Sequence, residues 1–184
     1  MPRTFVIDTD TASDDAVALV MAIMHPDVIV DAITVVAGNV PLPMAVNNAL
    51  LTVERCVAVG RANVAVHVGL AGPLHRLLET AQDVHGQDGM GDIDLPPATT
   101  QPAGLDAVTT LCELAQAKDG PHTLVTLGPL TNIAAALSRD PLLLTRYEHT
   151  YIMGGAPDLV GNVNTHGEFN FWCDPEAADR KAHV

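Results

Sequence analysis

The stretch Phe5–Ala16 reads FVIDTDTASDDA, and the rest of the chain is organised around it. Its first three residues form an apolar run, which predicts a buried strand of a parallel sheet. Four aspartates follow within eight residues, and the apolar pattern then resumes as an amphipathic helix over Ala16–Met24. Ser13 is the expected N-cap of this helix. Asp14 and Asp15 fall in the first turn, where the helix dipole favours carboxylates.

Helix capping accounts for two of the four aspartates and leaves two unexplained. Unit charges about 4 Å apart interact by roughly 4 kcal/mol at an effective dielectric constant near 20. Carboxylates crowded at a strand end must therefore take up protons, spread apart in water or share a cation. An all-oxygen cluster suits calcium or magnesium rather than zinc. The alternative is a capped helix with exposed acids and no metal.

The composition restricts the classes of function. The 184 residues are expected to form one domain, 1–184, and 48% hydrophobic against 17% charged residues predicts a globular fold. The net charge is −13, and the only lysines are Lys118 and Lys181. This balance argues against nucleic acid, anionic membranes and multiply charged phosphate substrates. A neutral or cationic small molecule fits better.

The cysteines, together with the lack of a signal-peptide pattern and of a membrane-spanning apolar run, indicate the cellular compartment. Cys56, Cys112 and Cys173 are odd in number, far apart and without metal-site spacing, which predicts buried thiols in a reducing environment. No signal-peptide pattern precedes the first strand, and no apolar run is long enough to span a bilayer. We therefore expect a cytoplasmic protein.

Strand and helix patterns alternate after the first strand. Further strands are predicted at Val28–Val36, Val64–Val68, His122–Leu127 and Thr150–Met153. Helical segments are predicted at Pro43–Val59, Leu74–Leu78, Leu105–Lys118, 132–138, Pro141–Arg146 and from Pro175, with Asp174 as N-cap. This order predicts an α/β fold, doubly wound, with a mostly parallel sheet and helices on both faces. Residues 83–102, rich in Gly, Pro and Asp, are expected to form a mobile loop.

Polar residues follow the predicted strands, where ligands bind in such folds. They are Asp8 and Asp10, Asn39, the Thr126 region and the loop 161–170. Four loops would thus converge on one pocket. Carboxylates and amides, such as Glu168 beside Asn170, suit a polyhydroxylated ligand like a sugar ring.

Several of these residues also have ordinary structural explanations. Asn39 and Asn162 each follow a glycine and are typical of turns. His85 lies in a glycine-rich loop and is either a solvent-exposed histidine or a pocket residue. Met153 is more typical of a core than of a ligand contact. Glu168 lies beside the apolar residues Phe169 and Phe171, so its carboxylate needs partners if it is buried.

At this point the residues resemble a known family, the nucleoside hydrolases of the inosine/uridine-preferring type. The amino-terminal signature is Asp8-Thr9-Asp10-Thr11-Ala12-Ser13-Asp14-Asp15-Ala16. Further matches recur in order at Gly38-Asn39, Val84-His85-Gly86, Leu127–Asn132, Met153-Gly154-Gly155, Gly161-Asn162, Glu168-Phe169-Asn170 and Asp174–Ala178. The resemblance covers nearly the whole chain.

The resemblance implies a hydrolase that cleaves the N-glycosidic bond of a ribonucleoside with a calcium-bound water, in nucleoside metabolism such as purine salvage. Asp10 would bind Ca²⁺ and act as general base, with Asp15 and the Thr126 carbonyl as further ligands and Asp8 as support behind them. The remaining implied residues bind the nucleoside: Asp14, Asn39, His85, Met153, Asn162, Glu168 and Asn170. A homo-oligomer is also implied.

The chain departs from the family chiefly in length. Family members continue further and supply another calcium-binding aspartate and a histidine near the leaving base. We therefore expect a C-terminally truncated chain, lacking the C-terminal elements of the fold, with little activity alone.

Two other functions fit part of the sequence. One is a non-catalytic remnant that binds calcium or ribose. The other is a haloacid-dehalogenase-type phosphatase, because Val6–Thr11 resembles that nucleophile motif. Such a phosphatase needs a downstream lysine, for which Lys118 is poorly placed, and it would not explain Glu168-Phe169-Asn170.

Overall fold

Five parallel strands form the centre of the computed structural model, which describes residues 2–117, 120–157 and 160–181. The strands are β1 (Arg3–Thr9), β2 (Val28–Val35), β3 (Ala65–Val68), β4 (His122–Thr126) and β5 (His149–Ile152). Their order in the sheet is β3-β2-β1-β4-β5. The chain therefore moves outward from β1 in one direction, returns, and continues in the other.

Helices fill the connections between the strands. The longer ones are α1 (Ser13–Met24), α2 (Leu42–Ala58), α4 (Ala107–Ala115), α5 (Thr131–Arg139) and α8 (Pro175–Lys181). The short ones are α3 (Gln82–His85), α6 (Leu143–Arg146) and α7 (Phe169–Cys173). Within the described ranges, none of these helices is long and apolar enough to cross a membrane.

The central strand supplies side chains to two separate cores, because successive residues of a strand point to opposite faces. Ile7 packs in the core that includes α1 and α2, with Leu19 among its members. Val6 packs in the other core, with Leu111 of α4 and Ile133 of α5. Both faces of the sheet are therefore covered by helices, which confirms the predicted α/β fold.

The direction of winding reverses between β1 and β4, and this position determines where a ligand can bind. In open parallel sheets the crevice lies outside the carboxyl ends of the strands at this reversal. In the register of the sheet, Asp8 on β1 lies opposite both Thr34 on β2 and Thr126 on β4. Asp8, near the end of β1, and the aspartates that follow this strand therefore start at the centre of the crevice.

Three local features differ from those predicted from the sequence. Ser13 is the first residue of α1 and Ala12 occupies the cap position, where the Asp15 carboxylate accepts the backbone N–H of Ala12 at 3.1 Å. Leu74–Leu78 forms bends and no helix. Helix α7 (Phe169–Cys173) was missed, because five residues are too few to show a helical pattern of apolar positions.

The segment 83–102 is attached to α2 at several points. Glu54 accepts four hydrogen bonds from the backbone and hydroxyl groups of Thr99 and Thr100, at 2.6–3.0 Å. Asn47 accepts the backbone N–H of Ala98 at 3.0 Å. The expected mobility of the segment stays a prediction, as do the homo-oligomer and the cytoplasmic location.

Asp174 joins three elements of the second core. It is fully buried, and its carboxylate accepts from the Thr131 hydroxyl at 2.6 Å, the Leu74 backbone at 3.0 Å and the Ala177 backbone at 3.1 Å. The last of these bonds is the predicted N-cap of α8. The same carboxylate thus fastens α8 to the start of α5 and to the loop after β3.

We expect Asp174→Ala to lower the free energy of unfolding by about 2–4 kcal/mol, because two buried donors and one half-buried donor lose their carboxylate acceptor. Urea denaturation measures the change. Glu176→Ala on the same helix is the matched control. It breaks an exposed ion pair with Arg76 at 3.2 Å and should cost much less stability than Asp174→Ala does. Equal losses in the two variants would contradict this role of Asp174.

Candidate functional site

Asp10 lies immediately after β1, and its carboxylate is completely buried. One oxygen, Oδ2, accepts the backbone N–H of Asn39 at 2.6 Å, whereas Oδ1 has no hydrogen-bond partner among the described residues. Two glycines allow this placement. A Cβ atom at Gly38 would lie 2.1 Å from Oδ2, and one at Gly128 would lie 2.7 Å from Oδ1. Any larger residue at these positions would fill the space around the carboxylate.

Asp15 lies beside Asp10, and Asn39 contacts both. The Oδ2 atom of Asp15 accepts from the backbone of Ala12 at 3.1 Å and from Nδ2 of Asn39 at 3.4 Å. Asn39 thus donates its backbone N–H to one carboxylate and its side-chain amide to the other. Its turn position after Gly38 and its place in the site are compatible, since the turn directs both donors inward.

Asp8 is the third buried carboxylate of this group. Its Oδ1 atom accepts from the Thr34 hydroxyl at 2.6 Å and from Nδ2 of Asn132 at 2.9 Å. The other oxygen, Oδ2, is buried without a hydrogen-bond partner in the described parts of the chain. Asp8 therefore lies behind the site, held by a neighbouring strand and by the first turn of α5.

Burial raises the proton affinity of all three carboxylates. Burial raises the pKa of Asp8 to about 7 and that of Asp15 to about 6. The pKa of Asp10 is raised well above its ordinary range by burial and by the neighbouring Asp15 carboxylate. Without a cation, the site favours protonated or partly protonated aspartates.

The oxygen ligands offered by Asp10, Asp15 and Thr126 are of the kind that binds a hard cation, although they are few. Asp10 offers its unpartnered Oδ1, Asp15 offers a carboxylate and Thr126 a backbone carbonyl, all of them oxygen ligands suited to calcium. The Thr126 carbonyl accepts the Met153 backbone N–H at 2.9 Å and keeps a second lone pair. Across residues 2–117, 120–157 and 160–181, no group of three or more His, Cys, Asp or Glu side chains is placed to hold a metal. The expected set has two such side chains.

A cavity of about 150 Å³ opens beside these carboxylates. It is lined by residues from the first turn of α1, the turn after β2, α3 and the residue before it, the loops after β4 and β5, and α7: Asp14, Asp15, Asn39, Ala81, Val84, His85, Leu127, Met153, Asn162, Val163, Glu168, Phe169 and Asn170. Typical small-molecule sites measure about 300–1,000 Å³, so the described residues enclose only part of a nucleoside-sized ligand.

Most of the residues predicted for the site are brought together there. Asp14, Asp15, Asn39, His85, Met153, Asn162, Glu168 and Asn170 line the cavity. The other three, Asp8, Asp10 and Thr126, are buried at the ends of β1 and β4. The structure gives the positions of these residues, whereas their roles in metal binding, substrate binding and catalysis stay predictions.

Glu168 has a structural role that the sequence did not reveal. It is the N-cap of α7, and its carboxylate accepts the backbone N–H groups of Asn170 at 3.0 Å and Phe171 at 3.2 Å. It also accepts the N–H of Gly155 at 2.9 Å, which joins the loop after β5 to α7. Three backbone donors thus fix the carboxylate at the cavity wall.

The amides of the loop after β5 are also engaged. Asn162 is exposed, and its Oδ1 accepts the Phe169 N–H at 2.9 Å. Asn170 is buried, and its Nδ2 donates to the Leu127 carbonyl at 2.7 Å and the Met153 carbonyl at 3.2 Å. Met153 itself is 51% exposed, so the composition argument that it belongs to the core is wrong.

His85 closes one side of the cavity. Its Nδ1 lies 3.1 Å from the Ser13 hydroxyl and 3.7 Å from Oδ1 of Asp14. The Asp14 side chain is 64% exposed, so this carboxylate stands at the mouth of the cavity, unlike Asp15. The structure thus places His85 as a pocket residue, the second of the two alternatives left by the sequence.

Sequence reasoning missed the polar residues that hold the site from behind. Asn132, fully buried, donates to Asp8 and to the Val35 carbonyl at 3.2 Å and accepts the Leu70 N–H at 2.9 Å. Thr34 reaches Asp8 from the adjacent strand. Thr34 lies between two apolar residues, and Asn132 ends the matched motif Leu127–Asn132. Neither signal identifies a hydrogen-bond partner far away in the sequence.

Comparison with known proteins identifies the class of protein to which this chain belongs. A sequence profile described as "Inosine-uridine preferring nucleoside hydrolase" matches residues 5–182. The pyrimidine-specific ribonucleoside hydrolase RihA of Shewanella sp. (strain ANA-3) is 40% identical over 179 residues, which are 97% of this chain and 55% of that protein.

Two solved structures are similar as well. A plant nucleoside hydrolase, the PpNRh1 enzyme, gives a TM-score of 0.91 at 37% identity, covering 98% of this chain and 57% of that one. The purine-preferring ribonucleoside hydrolase from Gardnerella vaginalis gives 0.89 at 32% identity, covering 97% and 57%. The chain belongs to the inosine-uridine preferring nucleoside hydrolase family, and it spans slightly more than half the length of these relatives.

We expect the metal-free chain to lose stability as the pH rises from about 5 to about 7. The pKa values of Asp8 and Asp15 are raised in the folded state from 3.8 to about 7 and about 6. Each raised pKa stabilises the fold below 3.8, and this contribution is lost as the pH passes through the folded-state value. Urea denaturation in the presence of a chelator measures the slope.

Asp8→Asn provides the matched comparison for this pH dependence. Its remaining oxygen can still accept from Thr34 and Asn132, but the side chain cannot ionise, so the slope should become shallower. Carboxylates with lowered pKa values, such as Glu54 at about 2, change the stability only below pH ~4.5. They therefore do not contribute to the slope between about pH 5 and 7. A flat or rising stability between about pH 5 and 7 would contradict the burial argument.

Proposed function

We propose that this chain carries the ribose- and metal-binding half of a calcium-dependent hydrolase that cleaves ribonucleosides into ribose and free base. The observation that carries the proposal is Oδ1 of Asp10, a buried carboxylate oxygen without a protein partner. It lies at the carboxyl edge of the sheet, next to a cavity lined by carboxylates and amides. A buried acceptor of this kind calls for a cation or a proton.

Asp10, Asp15 and the Thr126 carbonyl would hold the calcium ion. When bound, calcium supplies positive charge that offsets the buried carboxylates and acidifies a nearby water. Asp10, whose carboxylate accepts the backbone N–H of the cavity residue Asn39, would accept the proton of that water as general base. Burial and the neighbouring Asp15 carboxylate raise the pKa of Asp10 in the metal-free site, so this carboxylate binds a proton more readily than an exposed aspartate does.

The carboxylates and amides of the cavity wall would bind and orient the ribose. Asp14 and Glu168 present acceptors for sugar hydroxyls, and Asn39 and Asn170 present buried amides at the same cavity. Cleavage of a glycosidic bond passes through an oxocarbenium-like state, whose positive charge nearby carboxylates stabilise. The same residues therefore serve binding and charge stabilisation.

The charge of the cavity favours nucleosides over nucleotides. Its described lining contains two aspartates and one glutamate and includes neither lysine nor arginine. A 5′-phosphate would face these carboxylates with neither a lysine nor an arginine of the lining to pair with, and this repulsion costs binding free energy. The substrate class we propose is therefore the uncharged ribonucleoside. RihA is named as pyrimidine-specific and the Gardnerella enzyme as purine-preferring, so the two relatives do not agree on a base.

A bare calcium-binding remnant remains the second candidate, because of ligand number. Calcium takes about six to eight oxygen ligands, and this chain offers two carboxylates and one carbonyl. Water or residues outside this chain must complete the shell. Binding without cleavage by the chain alone would support that reading, and we expect its turnover to lie far below that of a full-length relative.

The proposal predicts that the chain binds calcium, measured by titration calorimetry, and releases reducing sugar from uridine or inosine only when calcium is present. Asp10→Asn should weaken calcium binding and lower sugar release by about 10²–10⁴-fold, the usual contribution of a general base. Asp27→Asn, an exposed aspartate between α1 and β2, is the control and should change neither quantity.

Three results would separate the candidates. Calcium binding that is unchanged in Asp10→Asn would remove Asp10 from the metal site. Calcium binding without any sugar release would favour the remnant over the hydrolase. Release from uridine 5′-monophosphate as fast as from uridine would contradict the argument from cavity charge.

A further inference from the structure

Asn48 is a buried polar residue in the middle of α2, with only 3% of its surface exposed. Its side-chain amide donates twice, to the Thr11 carbonyl at 3.2 Å and to the Asp88 carbonyl at 3.0 Å. Thr11 lies in the turn between Asp10 and Asp15. Asp88 lies in the loop that follows His85. One planar amide therefore bridges two segments about 75 residues apart in sequence, and both of them line or support the cavity.

The loop at the far end of this bridge is held together internally. The Asp88 carboxylate accepts the backbone N–H of Met90 at 2.7 Å and of Asp92 at 2.9 Å. The Gly91 N–H donates to the His85 carbonyl at 2.8 Å, and the Gly89 N–H to the Gly86 carbonyl at 3.0 Å. The loop 85–92 is thus one hydrogen-bonded unit, so a shift of Asp88 is carried to His85 at the cavity wall.

The two donors of Asn48 have no simple substitute. Each amide hydrogen satisfies one carbonyl, and a buried carbonyl that loses its donor is costly. Among the hydrogen bonds and ion pairs of the described residues, the other attachment of loop 85–92 to the carboxylate turn is the contact of His85 with Ser13 and Asp14. Asn48 reaches this unit through the backbone carbonyl of Asp88 rather than through an exposed side chain.

We infer that Asn48 is a positioning residue that couples loop 85–92 to the turn carrying Asp10 and Asp15, so that ordering of the turn by calcium orders the loop over the substrate. The inference rests on the proposed function, because it takes this turn to be the calcium-binding turn. It assigns Asn48 no contact with metal or substrate. Its effect is exerted through Thr11 on one side and Asp88 on the other.

Hydrogen exchange read by mass spectrometry tests the coupling, with calcium itself as the probe. In the wild-type chain, calcium should slow amide exchange both in the turn 9–15 and in loop 85–92. In Asn48→Ala, calcium should still slow exchange in the turn. Its effect on the loop should fall by at least about fivefold, the lower end of usual couplings between sites. Asn48→Gln, which keeps two donors, should restore part of the loop effect.

Asn47→Ala is the matched control on the same helix. Asn47 accepts the Ala98 N–H at 3.0 Å and therefore holds the end of segment 83–102. Its Nδ2 donates to Oδ1 of Asn48 at 3.5 Å, whereas no hydrogen bond among the described residues joins Asn47 to Thr11 or Asp88. This variant should loosen the amides around Ala98 and keep the calcium effect on loop 85–92. An Asn48→Ala chain that retains the full calcium effect on the loop would overturn the inference, as would equal behaviour of the two alanine variants.

A calcium-free comparison separates this inference from the proposed function. Without calcium, Asn48→Ala should speed exchange in both the turn and loop 85–92, whereas Asn47→Ala should speed neither. If calcium protects no amide of the wild-type turn, the metal part of the proposed function fails and the coupling to calcium fails with it. If calcium protects the turn and Asn48→Ala leaves both segments unchanged, only the bridge is refuted.

Discussion

The burial of three carboxylates at the end of one strand is the constraint on which the rest of the structure depends. Asp8 and Asp10 are completely removed from solvent, and Asp15 nearly so. Burial of an ionised carboxylate costs several kcal/mol unless protons, donors or a cation compensate. The elevated pKa values of all three show that the donors present do not compensate fully. The chain thus retains an unfavourable local charge arrangement at the position where a ligand would bind.

The compensation that does exist comes from sequence-distant elements, and the topology explains how they arrive. β1 lies at the centre of the sheet, so its carboxyl end is bordered by the ends of β2 and β4. The turn after β2 brings the Asn39 amide, β2 itself brings Thr34, and the helix after β4 brings Asn132. The small residues Gly38 and Gly128 let the backbone of two loops approach Asp10 closely. The reversal of winding therefore creates the crevice and supplies the donors at once.

This topology also explains which features could be predicted from sequence. The five strands and most helices follow from local apolar patterns, and Asp10 and Asp15 stand out because four aspartates occur within eight residues. The helix α7 was missed because Phe169–Cys173 is shorter than a helical pattern can reveal. Met153 was misplaced because its exposure depends on the loop after β5, which composition does not encode. Asn48 and Asn132 could not be assigned partners, since their hydrogen bonds cross between 37 and 124 residues of chain.

Glu168 shows why fold and function are not separable in this site. Its carboxylate caps α7 and ties it to Gly155, and the same group stands at the cavity wall beside Asn170. A carboxylate has about four acceptor positions, and three backbone donors occupy most of them, so about one remains for a sugar hydroxyl. A glutamine would keep one acceptor oxygen and present an amide NH₂ group to the backbone N–H groups, which weakens the cap as well as the proposed ligand contact. In the proposed site, a substitution of Glu168 would therefore disturb the helix that carries Asn170 together with the ribose contact.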